Sequence, residues 1–139
     1  MNLRIWFADL FRPRTLGEQG EALAARYLKR RGFKIVSRQD RSRIGELDLV
    51  AVEDRTIVFV EVKTRRSASK GQPAEAVDDA KQFQLTRAAL AYLKTHGLLE
   101  EQARFDVITV IWPPHGTAPQ LDHFRDAFSA KGPGSQFFR

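Results

Sequence analysis

The chain has 139 residues, enough for one domain with one core and too few for two ordinary ones. It is 42% hydrophobic and 29% charged, the balance of a soluble globular protein, and its 23 Lys and Arg against 17 Asp and Glu leave a net charge of +6 that favours an acidic partner such as nucleic acid or an anionic membrane surface. The absence of cysteine excludes disulfides, thiol catalysis, iron–sulfur clusters and thiolate zinc sites, and no apolar run approaches the ~18 residues of a membrane span, so a cytoplasmic location is expected.

Residues 1–14 mix Ile5, Trp6, Phe7, Leu10 and Phe11 with Arg4, Asp9, Arg12 and Arg14. They lack the long apolar stretch and small-residue cleavage site of a secretory signal and read as an amphipathic or partly ordered arm. A helix starts near Thr15 or Gly17, carries Leu16, Leu23, Ala24, Tyr27 and Leu28 at helical spacing, and stops at Gly32. Residues 33–37 read as a short strand followed by a polar loop through Arg43. Residues 46–52 and 57–63 read as two strands joined by a turn at Glu53, Asp54 and Arg55. A second helix is expected over residues 74–95, opened by Gln72 and Pro73 and ended by His96 and Gly97. A strand follows over residues 105–112, and residues 121–128 read as a last edge strand. The glycines and proline near residue 133 suggest a flexible tail from 129 to 139. Helix, three strands, helix and one or two further strands predict an α/β or α+β sheet flanked by helices, as a single domain over residues 15–128.

The charge is unevenly spread. Residues 1–45 hold 11 basic and 4 acidic side chains, whereas the remainder is close to neutral. Arg30, Arg31, Lys34, Arg38, Arg41 and Arg43 form one basic stretch, and Arg65, Arg66 and Lys70 extend the run that starts at Lys63. Such clusters are expected of a protein that binds the phosphate backbone, although solvated helix faces and loops also produce them.

The strand pair carries the chemistry. Side chains two apart on a strand point the same way, so Glu46, Asp48, Val50 and Val52 share one face, and Ile57, Phe59, Glu61 and Lys63 share another. Acids thus interrupt strands that are otherwise apolar, and an unpartnered buried carboxylate is costly. Two carboxylates with a lysine beside them are accommodated when a divalent cation sits between them. Oxygen ligands without Cys or a His pair favour Mg²⁺ or Mn²⁺, and a cation so held polarises a phosphate oxygen and acidifies water. This is a phosphodiester-hydrolysis pattern, with Asp48 and Glu61 as metal ligands, the Val62 carbonyl as a further ligand, and Lys63 to position water or stabilise charge. An exposed edge hairpin with a surface ion pair would show the same letters. On the first helix, Glu21 lies about 90° from the centre of the buried stripe, at a border from which it can reach a sheet-edge site, while Glu18 lies roughly 150° away. The three histidines show no metal-ligand spacing.

Several short motifs occur together: Gly17-Glu18-x-Gly20-Glu21, Tyr27-Leu28, Gly32-Phe33, Gly45-Glu46-x-Asp48-Leu49-Val50-Ala51, Val58-Phe59-Val60-Glu61-Val62-Lys63-x-Arg65, Glu75-Ala76-Val77 with Lys81, and Arg104-Phe105-Asp106-Val107. In this combination the chain resembles the YraN-like family of uncharacterised bacterial proteins, itself similar to the archaeal Holliday-junction resolvases of the restriction-endonuclease-like superfamily. The resemblance covers residues 17–128. It implies an αβββαβ core, a central mixed sheet flanked by helices, with Asp48 and Glu61 as metal ligands, Lys63 as the catalytic lysine and Glu21 as the helix glutamate of the metal site. Glu46, Lys81 and Gln82 form a second tier near that site. The implied activity is a Mg²⁺-dependent endonuclease acting on DNA. The resolvase likeness adds branched or recombination intermediates as substrates and a two-fold homodimer. Two other readings stay open: a nucleic-acid-binding or repair-accessory protein with an idle nuclease site, and an interaction protein that docks through residues 1–14.

Overall fold

The computed structural model describes residues 14–66, 77–113, 116 and 118–138. Helix α1 (Leu16–Arg30) opens on Thr15, whose side chain accepts the Glu18 N–H at 3.1 Å. It closes by a Schellman motif. Gly32, at φ 94°, lets the Phe33 N–H return to the Leu28 carbonyl at 3.0 Å, and both side chains are buried.

Five strands follow around a second helix: β1 (Lys34–Arg41), β2 (Glu46–Glu53), β3 (Thr56–Arg65), α2 (Asp79–Thr95), β4 (Gln102–Ile111) and β5 (Gln120–Phe128). They form one sheet in the order β1-β2-β3-β4-β5. Neighbours are antiparallel except β3 and β4, which run parallel and are connected through α2. This is a mixed five-stranded sheet with two helices, an α+β fold consistent with a restriction-endonuclease-like core.

The helices cover opposite faces. Ala24, Ala25 and Leu28 of α1 pack on Leu49, Ala51, Val58, Val60, Val62, Ile108 and Val110. Leu85, Ala88, Ala89 and Leu93 of α2 pack on Leu47, Val50, Ile57, Phe59, Ala103, Phe105 and Val107. Being covered on both sides, β3 and β4 read as nearly continuous apolar runs rather than as alternation. A charged residue within them is therefore conspicuous.

β4 begins three residues earlier than expected, at Gln102, and three further stretches differ from expectation. β1 continues to Arg41 because it is an edge strand, whose outer side tolerates Arg38, Gln39 and Asp40; its register slips at a bulge between Ile35 and Ser37. α2 begins at Asp79, capped by Asp78, which accepts the Lys81 N–H at 2.8 Å; the cap fixes the start later than residue 74, and residues 67–76 lie outside the described residues. Residues 129–138, expected as a flexible tail, fold back across α2. The Lys131 N–H donates to Thr86 Oγ1 at 3.0 Å, and the Phe138 ring stacks 5.0 Å from Phe105. The apolar Phe138 supplies the reason, by joining the core cluster under α2. Of the arm, residues 1–13 lie outside the described residues. Among the described residues, no helix is long and apolar enough to cross a membrane.

Candidate functional site

The site begins where β2 and β3 part. Their ladder pairs Leu49 with Val60 and goes no further, so Asp48 and Glu61 sit just past its last rung. Asp48 Oδ2 fills the gap by accepting the Val62 N–H at 2.9 Å. A strand residue presents its N–H and carbonyl to the same neighbouring strand, so the Val62 carbonyl faces this gap too. Leu47 packs on the α2 side together with Val50, so the simple alternation expected along β2 breaks at Asp48.

Glu61 is only 6% exposed. Its Oε1 lies 3.5 Å from Lys63 Nζ on the same strand and 3.7 Å from Lys81 Nζ on the first turn of α2. Burial and the neighbouring Asp48 charge push the Glu61 carboxyl up to about 7, against the opposing pull of the two ammonium groups. Glu21 approaches from α1. Gln39 Nε2 donates to its Oε2 at 2.8 Å, and it shares a small cavity of about 160 Å³ with Arg14, Glu18, Arg38 and Leu49. Burial raises the Glu21 carboxyl, the Gln39 hydrogen bond opposes this, and the Asp48 and Glu46 charges add to the rise. Asp48 is thus the shared neighbour of Glu21 and Glu61.

The other expected residues divide. Glu46 is exposed and pairs with Arg41 at 3.6 Å. Lys81 stands beside Glu61, but the Gln82 side chain turns away to donate to the Val77 carbonyl at 2.8 Å, holding the lead-in to α2. Arg38, Arg41 and Arg43 lie on β1 and the turn after it, and Arg65 ends β3 with Arg66 just beyond it, all at the Asp48 end of the sheet. Arg30, Arg31 and Lys34 lie at the opposite end. Lys34 pairs with Val52 whereas Arg41 pairs with Glu46, and six steps along β2 separate the two pairings by about 20 Å. The single basic stretch of the sequence is therefore two patches. Lys70 lies outside the described residues.

Sequence reasoning missed a second polar centre, on the α1 side of the sheet. Asp106 is fully buried, yet its carboxylate accepts from His123 Nε2 at 2.8 Å, Arg104 Nε at 2.9 Å and the Asp126 N–H at 2.9 Å. Burial alone would raise this carboxyl, but those donors together hold it below its ordinary value. Tyr27 Oη lies 3.3 Å from His123 Nδ1, and Arg104 and Arg125 both reach Glu53. An acid and an arginine two apart in an apolar run were the available signal; His123, distant in sequence, gave none.

The motifs of the site fall within a matched family model. The model described as Uncharacterised protein family UPF0102 matches residues 20–110, which span Glu21, Asp48, Glu61, Lys63 and Lys81. The chain belongs to the UPF0102 family. A UPF0102 protein of Geotalea uraniireducens is 47% identical over 115 residues, covering 83% of this chain and 90% of that relative. One from Rhodococcus jostii is 50% identical over 114 residues, 82% of this chain and 96% of the relative. One from Rhodopirellula baltica is 41% identical over 138 residues, 94% and 83% respectively. The UPF0102 membership bears out the YraN-like resemblance of the motifs.

Among the described residues, no three Asp, Glu or His side chains already converge as a metal cage. Mg²⁺ does not require one, since it is usually held by one or two carboxylates and keeps several waters. Asp48 and Glu61, two neighbouring carboxylates with a backbone carbonyl beside them, fit that hard cation, and its charge would offset the burial and the Asp48 repulsion that raise Glu61.

Proposed function

We propose that this UPF0102 protein is a Mg²⁺- or Mn²⁺-dependent endonuclease that hydrolyses phosphodiester bonds in DNA. The observation that carries the reading is Glu61, a buried carboxylate beside Asp48 that faces two lysines from different elements. Asp48, Glu61 and the Val62 carbonyl would hold the cation, and Glu21 would act from the α1 side through its proximity to Asp48. When bound, the cation supplies Lewis-acid polarisation of the scissile phosphate. The chain's own contribution is positional and electrostatic. Lys63 and Lys81 bring positive charge to the face where the phosphate must lie, and charge developing in the transition state is stabilised there. Water forms the new bond to phosphorus, one ester P–O bond breaks, and the departing alkoxide takes up a proton. Arg41, Arg43 and Arg66, with the neighbouring Arg38 and Arg65, would hold the flanking backbone. A preference for branched or recombination DNA, and a two-fold homodimer, extend the proposal through the resolvase likeness alone.

A second reading has its own support. Lys63 and Lys81 already pair with Glu61, contacts that a nucleic-acid-binding surface with an idle site would also keep. One experiment separates the two. Purified protein is incubated with single-stranded, duplex and branched DNA and with duplex RNA, with and without Mg²⁺ or Mn²⁺, beside Glu61→Ala and Lys63→Ala. The nuclease reading expects cation-dependent DNA cleavage that falls by about 10²–10³ in each variant. Tight binding with no cleavage of any substrate supports the idle site, and cleavage that persists in both variants removes Glu61 and Lys63 from the chemistry.

A further inference from the structure

The α2 face of the sheet continues past Lys63 onto two strands that the proposed chemistry does not use. In the parallel ladder Lys63 is the register partner of Thr109, and in the antiparallel ladder Thr109 is the partner of Asp122. All three point to the same face. Val107 and Phe124, two residues away on their strands, lie in the cluster under α2, whereas Ile108 and Leu121 belong to the opposite cluster.

Thr109 is unusual within that row. It is 6% exposed, and its Oγ1 is shielded from solvent with no hydrogen-bond partner among the described residues. A buried hydroxyl left unpaired is destabilising, and each such group calls for a reason. A valine would fill the same space without that penalty. In the strand row Thr109 stands between a lysine and an aspartate, and a hydroxyl can accept from the first while donating to the second.

Lys63 has cause to need another partner. Its Nζ lies 3.5 Å from Glu61 Oε1, and Lys81 Nζ lies 3.7 Å from that same oxygen. Any cation drawn to Glu61 competes with both ammonium groups for it. Lys81 hangs from α2, over the sheet, whereas Lys63 stands in the strand row next to Thr109.

We propose that Thr109 is a positioning residue for Lys63: its hydroxyl accepts a hydrogen bond from the Lys63 ammonium when Glu61 is engaged by a divalent cation, and donates to Asp122. The ammonium then stays at the site, held by a neutral acceptor that does not withdraw its charge. The role rests on the nuclease reading insofar as Lys63 is the group being placed.

Thr109→Val and Thr109→Ser, which remove and keep the hydroxyl, test it in the full chain. Lysines are labelled by reductive ¹³C-methylation, and the Lys63 signal, assigned by its loss in Lys63→Arg, is followed as Mg²⁺ alone is added. The expected result is a Mg²⁺-induced movement of the Lys63 signal in the parent and in Thr109→Ser that is lost in Thr109→Val. On cleaved DNA, kcat should fall about tenfold in Thr109→Val with KM unchanged, and Thr109→Ser should restore most of it. A Lys63 signal that responds identically in Thr109→Val overturns the proposal. If the parent cleaves no substrate, the nuclease reading fails by itself, and the Lys63 signal still decides the role of Thr109.

Discussion

Glu61 and Asp106 are both carboxylates buried in this sheet, yet their surroundings drive their protonation in opposite directions. Around Glu61, burial and Asp48 outweigh two lysines, so the folded chain holds the proton more tightly than the unfolded one does. Its contribution to stability is complete below the ordinary carboxylate value of 4.5 and is lost as pH rises through about 7. In metal-free buffer, Glu61→Gln should therefore be more stable than the parent at pH 8 by about 2–3 kcal/mol, and the difference should shrink towards pH 4.5, as read by denaturant unfolding at each pH. Asp106 behaves in the reverse sense. Its carboxyl is held low, so its stabilisation is present above its unfolded value of 3.8 and is lost as pH falls through the lower folded one. Asp106→Asn leaves Arg104 and His123 without their charged acceptor. It should cost about 3–5 kcal/mol near pH 7, and the loss should narrow in acid. The same measurements separate a carboxylate held against burial and repulsion from a clamp that is saturated with donors.

At the scale of elements, α1 reaches β3 only because residue 20 has no side chain. A Cβ there would lie 1.8 Å from Thr64 Oγ1, so Gly20→Ala must push α1 off the sheet or move a half-buried, β-branched side chain. The expected cost is about 1–3 kcal/mol in thermal or denaturant unfolding, with partial recovery in the Gly20→Ala, Thr64→Ala double variant. Because Glu21 follows Gly20 directly, the shift would also draw its carboxylate away from Asp48. Most of the elements were legible in the sequence. The caps, Gly32 and Gly97 and the β-branched runs each state a local preference, and the structure follows them. What the sequence hid was non-local. The polar residues after Ser37 read as a loop because nothing in them shows that β1 pairs with only one neighbour. Phe138 sits in a glycine-rich segment whose letters say turn, and its place under α2 depends on a core assembled from distant strands.

Across the whole molecule, the basic charge that looked like one amino-terminal run separates into two ends of the sheet. Arg38, Arg41, Arg43, Arg65 and Arg66 stand at the end that carries Asp48 and Glu61, with Arg14 beside Glu21. If that end is the nucleic-acid face, replacing Arg41, Arg43 and Arg66 by alanine should flatten the salt dependence of duplex DNA binding. Each lost phosphate contact should lower the log–log slope by about 0.9. Replacing Arg30, Arg31 and Lys34 should leave the slope unchanged. Equal effects from both sets, measured by fluorescence anisotropy across a salt series, would mean that the backbone wraps both ends.

The sequence by itself determined the element types, the family, and the acidic strand pair with its lysine, because each is written in short-range spacing: capping residues, periodicity two or 3.6, and Glu-x-Lys on one strand. Only the tertiary structure decided which charges meet. Lys81 faces Glu61 because α2 crosses the sheet between β3 and β4, Gln82 turns away to the backbone, and Arg30 lies far from Arg41 although eleven residues separate them in the chain. It also placed Asp106 beside His123, and Thr109 beside Lys63, through strand register. Register is fixed by burial on both faces of the sheet at once, a property of the assembled layers that no single segment contains.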